Sequence, residues 1–195
     1  MKMRIVAIFV IVTAGLVVMA TRSPSINASS ATAVMYTLDP VHSSFYFRIM
    51  HKGLSYAYGR FNDVQGRFQI GDTNTHDTKF SITVKTASID TNHVKRDEHL
   101  RNLDFFNARQ FPTIRFQSTD VHAHGQVLHV TGDLTMHGVT RPVGFHLKKI
   151  GKNAKAIGFS TQFKIKRSDF GMKKLLGPVG DEVELMVSFE GTRTG

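Results

Sequence analysis

The stretch IGFSTQFKIK at residues 157–166 decides the fold. Ile157, Phe159, Phe163 and Ile165 fall on one parity, with Ser160, Gln162, Lys164 and Lys166 on the other. A period of two sets one face against a core and the other in water, which predicts a strand.

The same alternation extends outward in both directions. Toward the C-terminus, Val183, Leu185, Val187 and Phe189 oppose Glu182, Glu184, Ser188 and Glu190. Toward the N-terminus come Val143, Phe145 and Leu147, then Leu128, Val130, Leu134 and Met136 around Gly132. Ile114 with Phe116, Phe80 with Ile82 and Val84, and Phe45 with Phe47 and Ile49 continue it. Turn residues separate the runs at Gly71-Asp72, Gly125, His137-Gly138, Gly151-Lys152-Asn153 and Gly177-Pro178. Many short strands without a long helical period predict an all-β antiparallel sandwich or barrel. One stretch departs from this. Asn92–Arg109 carries Leu100, Leu103 and Phe106 at helical spacing, which predicts one short helix ending before Phe111-Pro112. Asp39-Pro40 reads as the turn that opens the first strand.

The N-terminus is an address. Lys2 and Arg4 precede Ile5–Ala20, a run of 16 uncharged residues. A spanning helix wants about 20, whereas a basic start, an apolar middle and small residues afterwards describe a secretory signal peptide. Val18-Met19-Ala20 and Ala31-Thr32-Ala33 offer cleavage after residue 20 or 33. Residues 1–33 are therefore expected to be signal and leader, and residues 34–195 one exported domain, periplasmic or otherwise outside the cytoplasm.

With no cysteine in 195 residues, disulfides, thiolate metal sites and cysteine nucleophiles are excluded. Gly-x-Ser-x-Gly, His-Glu-x-x-His and phosphate-cradling Gly-rich motifs are missing. Asp39, His42 and Ser43 have triad chemistry but crowd into five residues. No enzymatic activity is expected.

Several local sequences together resemble one family. They are LDPVHSS at residues 38–44 with Phe47 and His51, GRF at 59–61, ASIDT at 87–91, KRDEHLR at 95–101 and DFF at 104–106. FPTI at 111–114, VTGDLTMHGVTRP at 130–142, RSDFG at 167–171 and VGDEV at 179–183 complete the set. In order and spacing these resemble the YceI-like family of exported, polyisoprenoid-binding proteins. The resemblance runs from about Tyr36 to Glu190. It implies an eight-stranded, lipocalin-like antiparallel barrel, with the helix near the barrel mouth and a long isoprenoid or other lipid in an apolar tunnel. Met172–Leu176 stands where a longer, less basic segment is expected.

The residues point the same way. Fifteen phenylalanines and no tryptophan make an apolar interior without donors or acceptors, suited to a hydrocarbon tail. True lipocalins carry a Gly-x-Trp signature that this chain lacks. The expected tunnel lining is Phe45, Phe47, Ile49, Phe80, Ile82, Val84, Ile114, Phe116, Leu134, Met136, Phe145, Phe159, Phe163, Leu185 and Val187. His51 shares the parity of Phe45, Phe47 and Ile49, and so faces a ligand's polar end. Arg96 and Arg101 are candidates for a pyrophosphate clamp, because an arginine fork matches phosphate oxygens. Asp97 and Arg101 also have the spacing of an intrahelical ion pair. No cofactor is expected beyond the bound lipid, an isoprenoid quinone, polyprenyl phosphate or fatty amide.

Ten histidines raise a second possibility, a His-based metal-binding module at His122, His124 and His129. Without a carboxylate among those ligands the segment reads as a solvated hairpin tip, and no metal ligand is assigned. A stress-response scaffold with a merely structural lipid is a third.

The net charge is +10, and removing Lys2, Arg4 and Arg22 leaves about +7. Between Arg141 and Lys174 lie ten basic residues and one acid, Asp169. That region is expected to touch an anionic membrane surface transiently. Export and the lack of a basic–aromatic pattern argue against nucleic acid. Monomer and homodimer both fit the sequence.

Overall fold

The computed structural model describes residues 33–71 and 75–194. The leader expected over residues 1–33 lies, except for Ala33, outside the described residues. Ten strands occur: β1 (Val34–His51), β2 (Ser55–Phe61), β3 (Val64–Ile70), β4 (Lys79–Lys85), β5 (Ile89–Asp90), β6 (Thr113–His124), β7 (Val127–Met136), β8 (Val139–Lys152), β9 (Ala156–Lys166) and β10 (Val179–Arg193). A helix, α1 (Val94–Arg101), sits between β5 and β6.

The strands close into a ring. Each of β7 to β10 is antiparallel to its predecessor, β6 is antiparallel to β4, and β10 pairs with β1. On its other edge β1 pairs with β2 through its second half and with β3 through its first. Thus β2 and β3 act as one long strand interrupted at Asn62-Asp63. β4 and β5 follow them in the same way, pairing with β3 and β2 respectively. The result is a closed eight-stranded antiparallel barrel.

Two local features differ from the sequence expectation. Asp39-Pro40 lies inside β1, where register slips between Asp39 and Ser44 against β10. The chain bulges there because Pro40 has no amide to donate. The Asp39 carboxylate instead collects the Val41 and His42 amides and the His42 ring. The helix is also shorter than its periodicity suggests. It ends at Arg101, and Leu103 is 77% exposed while Phe106 turns into the core.

Neither β2 nor β3 shows a clean apolar alternation, for a packing reason. A Cβ on Gly59 would strike the Phe47 ring, and one on Gly191 would strike Phe68. Phe47 of β1 lies over Gly59 on the neighbouring β2, and Phe68 of β3 over Gly191 two strands away on β10, so apolar bulk is supplied from other strands.

The densest aromatic packing sits at one end. Tyr36, Phe68, Phe80, Phe159 and Phe189 are each 1–5% exposed. Tyr36 stacks on Phe68 at 5.3 Å, Phe159 meets Phe68 edge-on at 5.9 Å, and Phe189 meets Phe68 at 5.6 Å. These come from the start of β1, the ends of β3 and β10, and the starts of β4 and β9, and together they plug the barrel.

Candidate functional site

Above the plug the barrel is hollow. A cavity of about 990 Å³ runs from Phe80 and Phe189 at its floor to His51, Arg96 and Leu175 at its mouth. That volume lies at the upper end of small-molecule pockets, about 300–1,000 Å³. Along β1, the wall from Phe45 to His51 measures about 20 Å at ~3.3 Å per residue. Phe145 and Phe163 stack at 4.5 Å on one side, and Phe47, Phe61 and Phe106 form an aromatic chain on the other. The deep lining is aliphatic and aromatic. The polar members of the lining are His51 and Ser55 beside the β1–β2 turn, Arg60 and Asp90 on β2 and β5, Thr91, Asn92, Arg96 and His99 on and before α1, and Arg167.

The comparisons with known proteins agree with this geometry. Residues 36–191 match the YceI-like domain. Protein YceI of Escherichia coli O157:H7 is 42% identical over 174 residues, which cover 86% of this chain and 91% of that protein. A UPF0312 protein of Photorhabdus laumondii is 42% identical over 175 residues, with the same coverage. This chain belongs to the YceI family. Among solved structures, BcnA of Burkholderia cenocepacia shares the fold at a TM-score of 0.74 and 22% identity, covering 78% of this chain and 98% of its own. A polyisoprenoid binding domain from Saccharophagus degradans aligns at 0.67 and 16% identity, covering 83% and 99%.

In this YceI-family barrel, Phe45, Phe47, Ile49, Phe80, Ile82, Val84, Ile114, Phe116, Leu134, Met136, Phe145, Phe163, Leu185 and Val187 all line the cavity. Phe159 does not. Its parity is right, but it lies below the floor inside the plug, between Phe80 and Phe189. Phe61, Phe105 and Phe106 join the lining from segments read as motif or helix, and Val143 and Val183 join it from strands whose alternation is legible.

The polar mouth is partly rearranged. His51 lines it as expected. Arg96 lines it too, with its guanidinium donating to the Thr91 hydroxyl at 2.7 Å and to the Thr91 carbonyl. Arg101 is elsewhere. It donates to the Ala87 carbonyl at 2.8 Å and the Ile89 carbonyl at 2.7 Å, pinning α1 to the turn between β4 and β5. Nor does Asp97 bridge to Arg101. The carboxylate is buried and accepts from the Thr91 amide and hydroxyl.

Arg167 is the mouth residue that sequence reasoning missed. It is 4% exposed and donates to the Gly180, Met172, Lys174 and Val179 carbonyls. Burial lowers its pKa, with the Asp181 charge opposing. One fork thus ties down the departing segment Met172–Val179. Burial pushes the neighbouring Asp181 carboxyl up, but the Ser168 hydroxyl and amide, with Arg167 and Lys166, bring it below its ordinary value.

The basic region from Arg141 to Lys174 is therefore not one surface. Arg167 is internal, and the β8–β9 hairpin carries Lys152 and Lys155 to the plugged end. Only Arg141, Lys164, Lys166, Lys173 and Lys174 remain on the mouth side. Asp39, His42 and Ser43 form no relay. Asp39 holds the His42 ring at 2.8 Å, but the Ser43 hydroxyl donates to the Asp39 carbonyl.

Proposed function

We propose that this chain is an exported carrier that holds one long-chain amphiphile, tail inward, in the barrel cavity. The observation that supports it most is the lining of the cavity, mostly aliphatic and aromatic with a minority of polar side chains. Each buried methylene contributes about 0.8 kcal/mol, so a tail needs no specific bond to enter. The bilayer offers the tail a similar refuge, so selectivity rests on where the plug stops the tail and what the rim does with the headgroup. A phosphate, amide or quinone oxygen at the mouth meets His51 and the remaining donors of Arg96. The fold shared with a polyisoprenoid binding domain favours a prenyl tail.

Loading takes place at the outer face of an anionic membrane in this reading. Leu54 at the β1–β2 turn is 85% exposed, and Leu175 and Leu176 are more than 40% exposed beside Lys173 and Lys174. Leucines ringed by lysines suit a headgroup layer. Co-sedimentation with anionic vesicles that weakens with salt, and none with neutral vesicles, is the expected result.

The carrier reading is tested by reloading delipidated protein with a pyrene-labelled fatty acid. Phe47→Asp and Phe163→Asp abolish uptake, while Lys152→Ala at the plugged end leaves it unchanged. Equal uptake by the aspartate variants would refute a central tunnel.

A further inference from the structure

A second site lies at the plugged end, on the outer wall. Strand register sets His122 of β6 opposite His129 of β7, and His129 opposite His146 of β8. All three are exposed. The His129 and His146 rings meet edge-on at 4.3 Å. At the other end of the row, His76, on the short 3-10 turn between β3 and β4, meets His122 edge-on at 5.5 Å. Four of the ten histidines thus form one row across four segments. Asp120, two residues before His122 on β6, shares its face. Its carboxylate lies 2.7 Å from the His122 ring nitrogen. His76, Asp120 and His122 bring three ligand atoms within 4.8 Å of one another.

We propose that His76, Asp120 and His122 bind a divalent transition-metal ion, with water completing the coordination. Two imidazoles and a carboxylate are a ligand set for zinc, and for copper(II) with higher affinity on the usual ordering of divalent ions. Around an ion with bonds of about 2.1 Å, tetrahedral ligand atoms stand roughly 3.4 Å apart. Exposed side chains close the remaining ångström by rotation, without backbone movement. The set differs from the His122, His124 and His129 grouping that proximity in sequence suggests. His124, at the end of β6, is outside the cluster, and the carboxylate missing from that grouping is Asp120. No ligand is shared with the cavity, and the site stands at the opposite end of the barrel from the mouth. A bound ion would also clamp the β3–β4 turn to the β6–β7 hairpin, and an ion held only by the folded chain stabilises it.

The test is calorimetric titration of zinc chloride into untagged, chelator-treated full-length chain. The wild type takes up one equivalent with micromolar affinity and its Tm rises. His76→Gln and His122→Gln each weaken binding more than about tenfold, while His124→Gln and His42→Gln match the wild type. Circular dichroism and unchanged uptake of pyrene-labelled fatty acid show that the variants remain folded. Three results overturn the proposal: no zinc uptake up to millimolar, affinity indifferent to His76→Gln and His122→Gln, or an equal loss in His124→Gln.

Discussion

The two ends of this barrel are built from the same material and do opposite things. At the plugged end, five aromatic rings from five strands interlock and leave no room. At the mouth, Phe47, Phe61, Phe106, Phe145 and Phe163 stand against the wall and surround an open volume. The difference comes from what each ring faces. Phe68 reaches across the bore to Phe159 and Phe189 and lies over Gly191, so the rings meet in the middle. At the mouth the rings pair along the wall, Phe145 on Phe163 and Phe47 on Phe61. Aromatic content alone therefore does not say whether a barrel is filled.

Substitutions that exchange the character of the two ends sharpen the contrast. Phe68→Ala removes the ring common to most of the plug contacts and is expected to cost about 3–5 kcal/mol, the usual range for truncating a packed phenylalanine. Phe163→Ala borders empty space already, so it loses only transfer energy, about 1–2 kcal/mol, while weakening retention of a bound tail. Urea unfolding of the two variants measures the difference. If both cost the same, the ends are packed alike.

Arg167→Met leaves four carbonyls, the Met172 one buried and the rest partly so, without their donor and is expected to cost about 2–4 kcal/mol. Limited proteolysis should then cut at Lys173 or Lys174 first, because the loss is confined to the mouth segment. Gly191→Ala drives a methyl group into Phe68 at the plugged end, at about 1–3 kcal/mol by denaturant unfolding. It should leave uptake at the mouth intact.

The smallest effect is a pH dependence. The folded Asp181 carboxyl titrates below its ordinary value, so its stabilisation is complete above about pH 3.9 and disappears as pH falls through the lower folded value. Asp181→Asn is then less stable than the wild type near neutrality, and the gap narrows in acid as pH falls through the lowered folded value. Chemical unfolding near neutrality and in acid checks it.

Period-two alternation reveals β1, β4 and β6 to β10, the barrel class and most of the cavity wall, but not the two-residue β5. It missed β2 and β3, because Gly59 and Gly66 put backbone where an apolar side chain would mark the pattern. It also placed Phe159 in the lining, since parity records which face a residue takes and not its depth along the bore. The mouth was least legible. Arg101 and Arg167 look like solvent or headgroup arginines, and only the fold shows that both spend their donors on backbone carbonyls. The histidine row escapes for a related reason, as His76 lies far along the chain from His122 and is brought to it by the pairing of β4 with β6.

Organic extraction of the protein purified from its own host, followed by mass spectrometry, bears most directly on the hollow mouth. One long-chain amphiphile per chain, absent from the Phe163→Asp variant prepared in parallel, is the predicted result. A wild-type protein that yields no lipid, or an aspartate variant that yields the same lipid in the same amount, would contradict it.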